Sequence, residues 1–427
     1  MSVDRKKSPE IKELSAFNIV EAEKQILPNG LPLYFINTGT SELIKIEWMF
    51  AAGNWYQQSP LVAFTVNNML AEGTTSMNSR QIAESIEFYG AYLGYTVDKD
   101  NAFISIVCLR KYLPRVLEIV ADIIKHPSFP QSELDIFIQK HKQQFLVDQN
   151  KVGSVARMIH ARMLFGGNHP YGYYIKESDF GQLDRSQLFD FFNSTHHSGN
   201  CKIIASGKVL DEDIELINNY FGKENWGVAT TVKPGNHIIE AEPVLSINQH
   251  KDEAVQNAIR IGKIVISKTH PDYAGLTVLN CILGGYFGSR LMKKIREEKG
   301  YTYGISSMLI TLRHAGYFTI VSEVGADVTQ PAIDDIYGEI EKLRTTDVPG
   351  DELDRVKNYM LGEMIRMFDG PFAQAETFIS LLEYDMGYEY FRELIAVIKS
   401  ITPAEIRSLA NKYLSDGMSQ VIVGKIQ

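Results

Sequence analysis

The sequence predicts an α+β protein built from two duplicated α/β rolls, each a mixed, mostly antiparallel sheet with helices packed on one face. Three observations carry this. The chain has 427 residues, and single hydrophobic cores stop growing at roughly 250 to 300 residues, so two domains are expected. Ser79-Arg80 followed by Gly90 recurs as Ser289-Arg290 followed by Gly300, an offset of 289 minus 79, or 210, held without a gap. Each copy opens on a long apolar strand (residues 44–50 and 258–266), continues into a helix, and closes on a strand ending in Gly-Lys (Gly207-Lys208 and Gly424-Lys425). Strands and helices interleave without regular βαβ spacing, which favours a mixed sheet over a parallel one. The expected boundaries are an N-terminal roll over 1–221, a linker over 222–240 containing Gly227, Pro234 and Gly235, and a C-terminal roll over 241–427.

Taken in order, Asn29-Gly30 between apolar runs predicts a hairpin with a type I′ turn, whose central residues need positive φ. Residues 33–36 and 43–50 read as strands. A helix lies within the 61–80 stretch, a second runs from Ser79 to about Tyr89, and a strand pair falls around 91–109. Pro114 begins an amphipathic helix with Val116, Leu117, Val120, Ile123 and Ile124 on one stripe, stopped by His126-Pro127. Further helices are expected over 132–149, 154–166 and 184–194, and a strand over 202–207. The last helix is marked by Thr402-Pro403-Ala404-Glu405, a capping box with proline at the first helical position.

Composition narrows the function. A hydrophobic share of 44% with 22% charged residues suits an ordinary globular protein. A formal net charge of -9 argues against a nucleic-acid partner, which calls for a basic face. Cys108, Cys201 and Cys281 are widely spaced, odd in number and set in apolar segments, so they read as reduced and buried. The opening residues are polar with no apolar run behind them, and no stretch approaches the roughly 18 apolar residues of a membrane span. No membrane association and a cytoplasmic location are therefore expected.

Several motifs recur in a fixed order. They are residues 27–31 (LPNGL), Ala52-Gly53-Asn54, Met69-Leu70 with Gly73-Thr74, and Leu113-Pro114-Arg115 with Leu117. Asp122-Ile123 with Pro127 and Phe129, and Phe165-Gly166 with His169-Pro170-Tyr171-Gly172, complete the first half. The second half adds Gly284-Gly285, Ser289-Arg290-Leu291, and Arg296-Glu297 with Lys299-Gly300 and Tyr303. Together these resemble the pitrilysin/insulinase-type zinc peptidases, in the short-chain branch typified by mitochondrial processing peptidase, from about residue 25 to the end. The resemblance implies two rolls facing one another around a chamber that admits unfolded peptide.

That family carries H-x-x-E-H on the helix after its first long strand. Two imidazoles one turn apart hold zinc and the carboxylate activates its water. By the resemblance, the corresponding positions here are Phe64, Asn67 and Asn68, with Gln144 at the third ligand, a glutamate in the family. Gln57 stands where relatives often carry an acid. Phenylalanine binds no metal and neutral amides bind zinc poorly. The ten histidines offer no substitute set, since His196 and His197 point apart and His160 and His169 straddle a Gly-Gly break. Each reads as a surface or capping residue. Gly284-Gly285 with Gly288-Ser289 lacks the lysine and hydroxyl of a phosphate loop and reads as a turn of close backbone approach.

Arg296 and Tyr303, seven residues apart, match the spacing the family uses to hold a substrate carbonyl; a guanidinium and a phenol there stabilise developing negative charge. Their first-copy equivalents are Ile86 and Leu93, so only the second half carries the pair. Gly94, Tyr95 and Thr96 fall on the sheet edge where the resemblance places an added peptide strand, Gly94 replacing a polar residue. The resemblance thus implies a non-zinc subunit, without a cofactor of its own, paired with a zinc-motif-bearing paralogue that holds Zn, or with itself when isolated. The alternative it leaves open is a non-enzymatic peptide-binding or structural subunit.

Overall fold

The computed structural model describes residues 19–228, 235, 237–241 and 244–426. The linker expected at 222–240 lies partly outside them. Strands β1 (Glu23–Ile26), β2 (Pro32–Asn37), β3 (Leu43–Phe50), β4 (Tyr92–Val97), β5 (Ala102–Leu109) and β6 (Cys201–Gly207) form one sheet, in the order β1-β2-β6-β3-β5-β4. Strands β7 (Ser246–His250), β8 (Gln256–Val265), β9 (Ile305–Leu312), β10 (Ala315–Gly325) and β11 (Ser419–Gly424) form the other, in the order β7-β11-β8-β10-β9. Without β1, the two orders match strand for strand. Each sheet has one parallel pair, β2 with β6 and β7 with β11, and is otherwise antiparallel.

The duplication extends to the backbone. Gly90 (φ 59) and Gly300 (φ 66), one offset apart, both adopt the left-handed conformation that a side chain resists. One expected turn differs. Gly30 has φ 85 but Asn29 does not have positive φ, and the Gly30 N–H donates to Leu27 O at 2.8 Å. The connection from Ile26 to Pro32 is thus a longer loop closed by a left-handed glycine, because Pro28 fixes its own φ negative and sets an ordinary turn ahead of Gly30.

Helices of the first half are α1 (Val62–Met69), α2 (Ser79–Phe88), α3 (Leu113–Lys125), α4 (Gln131–Asp148), α5 (Val152–Phe165), α6 (Arg185–Thr195) and α7 (Asp211–Ile217). Those of the second are α8 (Tyr273–Asn280), α9 (Thr329–Thr345), α10 (Gly350–Met367), α11 (Pro371–Leu382), α12 (Glu389–Ser400) and α13 (Pro403–Tyr413). The capping box opens α13: Thr402 Oγ1 accepts from Glu405 N–H at 3.3 Å, and Thr402 N–H donates to Glu405 Oε2 at 2.8 Å.

Alternation along the strands explains the layering. On β3, Ile44, Ile46, Trp48 and Phe50 share one core with Val116, Leu117, Val120, Ile123 and Ile124 of α3, while Met49 points into the other core. On β6, Ile203 and Ala205 face the first core and Ile204 the second. The second face of each sheet is covered from the opposite half, a feature with no signal in the strand patterns. Helix α5 packs on β8 and β11 through Ala156, Met163, Ala258, Val421 and Val423. Helix α11 packs on β2 and β6, with the Tyr34 and Phe378 rings 5.1 Å apart. At about 1.5 to 3 kcal/mol for each large apolar side chain removed from water, this exchange fastens the halves together. A polar bond adds direction: Arg313 N–H donates across to Asp100 Oδ2 at 3.0 Å, while its guanidinium is held within the second half by Asp385 at 2.6 Å.

All three cysteines are buried and free. The histidines depart from expectation, since His160, His169, His196 and His197 are each less than 9% exposed. Aromatic shelves explain it. His196 lies against Phe50 and Phe192 (ring centroids 4.6 and 5.3 Å), and His169 stacks on Phe165 at 5.5 Å. Burial holds His160 and His196 down to about 3 and His169 to about 4. Among the described residues no helix is long and apolar enough to cross a membrane.

Candidate functional site

Helix α1 begins after Leu61, a residue with φ 69, and its first turn is capped from outside: Gln57 Oε1 accepts from Ala63 N–H at 3.2 Å. The four positions matching the zinc motif are each committed to packing or to other bonds. The Phe64 ring meets His141 edge-on at 5.1 Å and Phe137 at 5.8 Å, joining α1 to α4 through aromatic contact. Asn68 Nδ2 donates back to Phe64 O at 2.8 Å, within its own helix. Gln144 Nε2 donates to Asp148 Oδ1 at 3.3 Å, one turn along α4.

Asn67 is fully buried, and its Nδ2 donates to Thr96 O at 3.0 Å and Phe103 O at 3.2 Å. It therefore clamps α1 to the β4–β5 hairpin. A carboxylate cannot make these bonds, because it only accepts. Zinc does not fit this set: one position offers no donor atom, and the other three offer only neutral amide oxygens, which bind zinc weakly beside imidazole, thiolate or carboxylate. Among the described residues, no group of three or more His, Cys, Asp or Glu side chains is arranged to hold a metal ion.

Strand β4 is an edge, paired only with β5. Asn67 also fixes which backbone groups face out. It reaches the carbonyls of Thr96 and Phe103, which stand opposite one another in the register, so both carbonyls lie between the strands. Alternation then turns Gly94 and Thr96 inward and leaves the N–H and C=O groups of Leu93, Tyr95 and Val97 on the open edge. Of the three expected edge residues, only Tyr95 presents its backbone outward. A Cβ at Gly94 would stand 2.8 Å from Ser105 Oγ, on the neighbouring strand. The Tyr95 hydroxyl is buried without a hydrogen-bond partner among the described residues, and burial, then the nearby Glu72, raises its pKa.

In the second half, Arg296 lies on the turn over 292–298, its guanidinium 4.8 Å from the Phe287 ring. Tyr303 is 91% exposed and Phe287 64%. The loop carrying Tyr303 is held at its base. Thr302 Oγ1 donates to Glu323 O at 2.7 Å, and Ser322 Oγ donates to Gly304 O at 3.0 Å. Behind it, Arg290 forks onto Glu352 with two bonds of 2.8 Å, and a Cβ at Gly284 would strike Ser307 N at 2.6 Å, the close approach expected of that turn. The Arg296 turn packs on α9 and β9, whereas α1 packs on α6, β4 and β5. The structure thus joins α1 to α4 through Phe64, Phe137 and His141, turns Asn67 toward β4 and β5, and keeps Arg296 and Tyr303 on the other half. Sequence reading missed the Asn67 clamp and the Phe64–Phe137–His141 cluster; Phe137 and His141, four apart on α4, were the available signal.

The duplicated α/β roll, with matching strand orders in its two sheets, defines the class. The profile described as insulinase (peptidase family M16) matches residues 52–171, and the profile of the peptidase M16 inactive domain matches residues 182–360. The chain belongs to peptidase family M16, the pitrilysin/insulinase type. It is 23% identical to an uncharacterized zinc protease of Bacillus subtilis over 343 residues, 79% of this chain and 82% of that one. It is 22% identical to the beta subunit of mitochondrial-processing peptidase of Mus musculus over 432 residues, 97% and 86% of the two chains. In fold it is similar to a crystal structure of a peptidase M16 inactive domain from Pseudomonas fluorescens, with TM-score 0.82, 23% identity, and coverage of 96% of this chain and 99% of that one. A protease from Helicobacter pylori gives TM-score 0.87 at 15% identity, covering 95% and 100%.

Proposed function

We propose that this chain is the zinc-less subunit of a two-chain M16 metallopeptidase, pairing with a paralogue that carries the zinc motif and lending Arg296 and Tyr303 to that partner's site. The observation that carries this reading is the contrast between the two places where chemistry belongs. The motif positions on α1 and α4 are taken up by packing and internal bonds, whereas Tyr303 stands 91% exposed on a braced loop with Arg296 on the turn before it. Arg296 and Tyr303 hold the scissile carbonyl of a peptide. The guanidinium and the phenol O–H would stabilise the oxyanion formed as water adds to that carbonyl, and neither residue moves a proton; activating that water is the chemistry a zinc held by the partner would supply. The zinc named in several relatives' descriptions is assigned to the partner. The free edge of β4 gives an extended peptide a backbone ladder through Leu93, Tyr95 and Val97.

The test is an equimolar mixture of this chain with a paralogue bearing an intact H-x-x-E-H, assayed on an unstructured peptide. Activity is expected only in the mixture and is lost with Arg296→Ala. A mixture no more active than the paralogue alone, or one indifferent to Arg296→Ala, refutes the reading. The second reading, a peptide-binding subunit without catalytic duty, is favoured by the β4 edge alone and predicts binding that never depends on Tyr303.

A further inference from the structure

Between the start of α5 and the strands β8 and β10 lies a cavity of about 310 Å³, lined by Lys151, Ser154, Arg157, Arg260, Val321 and Glu323 among others. Its charges do not balance. Lys151 is matched by Asp148 at 2.7 Å. Among the described residues, Arg157 and Arg260 form no ion pair, and Arg260 Nε is buried without a hydrogen-bond partner. What remains is two guanidiniums against the single carboxylate of Glu323, two minus one, or one positive charge in excess. Burial first, and then the neighbouring Arg157, hold Arg260 below the usual arginine range, against the pull of Tyr317 and Glu323. His160 beside them is kept neutral by burial and by Arg260 and supplies no counter-charge.

The cavity adjoins the Tyr303 loop. Glu323, on its wall, accepts through its carbonyl from Thr302 Oγ1, so the wall and the loop are one hydrogen-bonded piece. Arg260 stands opposite Val321, and Val321 opposite Ser306 on the edge strand β9. Two strand spacings separate Arg260 from that edge, about 10 Å, within reach of a peptide laid across it. A carboxylate is the anion a pair of guanidinium forks receives with two parallel bonds, and one such group brings the cavity to neutrality.

We propose that this cavity receives a carboxylate of the bound peptide, from an acidic side chain or from the C-terminus, and so selects acidic peptides at the Tyr303 face. The inference rests on the preceding reading only in taking a peptide, rather than a free oxyanion, as occupant. The test is fluorescence anisotropy of the full chain alone with three labelled decapeptides of one Val/Thr sequence. One carries a central Glu and a free C-terminus, one replaces Glu by Gln, and one ends in an amide. Inorganic phosphate serves as competitor at constant ionic strength.

The acidic peptide should bind about tenfold more tightly than the Gln or the amide form, whichever lacks the recognised carboxylate. The preference should vanish in Arg157→Met with Arg260→Met and rise in Glu323→Gln. Arg157 is exposed, so Arg157→Met alone keeps the test readable if the double variant does not fold. Equal binding of all three peptides, or a preference that survives Arg157→Met, overturns the proposal. So does phosphate binding without discrimination among peptides. Peptide discrimination by a chain that fails to activate any zinc-bearing paralogue would leave this inference standing and remove the proposed function.

Discussion

The two copies of the repeat use one backbone plan for opposite purposes. In the first, the residues one offset from Arg296 and Tyr303 are Ile86, 6% exposed, and the half-buried Leu93, and both pack into the core. In the second, the same places carry a guanidinium over an exposed Phe287 and a tyrosine almost wholly in water. The first copy spends its chemistry-bearing positions on cohesion, since Phe64 packs and Asn67 clamps. The second leaves Tyr303 in water and Arg296 partly so, the contacts that the proposed function assigns to a substrate. The comparison teaches that a duplicated unit can be closed at one site and open at the other without altering strand order.

The sharpest way to break this comparison is Tyr303→Phe in the mixed peptidase. Loss of one oxyanion donor is expected to lower kcat by about a hundredfold or more with KM nearly unchanged. Because the side chain is exposed, thermal unfolding of the chain should stay put, within about 0.5 kcal/mol. A fall in stability matching the fall in rate would make Tyr303 a packing residue. The converse variant, Asn67→Asp, should spare substrate contact and cost about 2 to 3 kcal/mol in urea unfolding, because a buried carboxylate then faces two carbonyl oxygens. An unchanged midpoint would dissolve the clamp.

Acid provides a third, smaller effect. His160, His169 and His196 are neutral when folded, with pKa values held to about 3, 4 and 3, and each takes up a proton on unfolding below about 6.5. Acid therefore favours the unfolded chain. The stability these groups allow is fully present above about 6.5 and is lost progressively as pH falls toward their folded values. Urea midpoints at pH 7, 6 and 5 should decline, and His160→Gln should flatten the slope. The least effect belongs to one of the ion pairs joining the halves, Lys45 to Glu376 at 3.3 Å. Glu376 is largely exposed, so Glu376→Gln should cost under about 1 kcal/mol.

Much of the architecture was legible in residue order. The 210-residue offset announced the duplication, the α3 stripe named its buried face, and Thr402-Pro403-Ala404-Glu405 marked the start of α13 within a residue. What escaped was non-local. Nothing in α5 or α11 says that each will cover the other half's sheet, because an apolar stripe specifies burial but not a partner. The four buried histidines were misplaced because single positions do not reveal burial; His196, for one, is covered by Phe50 of β3, far away in the chain, as well as by the nearby Phe192. At the motif positions, the sequence showed which groups were missing, whereas the bonds by which Asn67 fastens β4 and fixes which of its backbone groups face outward depend on the folded chain.

The central claim is that the closed first copy holds no catalytic metal and the open second copy serves one held elsewhere. Elemental analysis of the chain purified alone, then of its stoichiometric complex with a zinc-motif paralogue, tests it most directly. The account predicts no bound zinc in the first sample and one zinc per pair in the second. One equivalent of zinc retained by the isolated chain and lost on replacing Asn68 or Gln144 would contradict it.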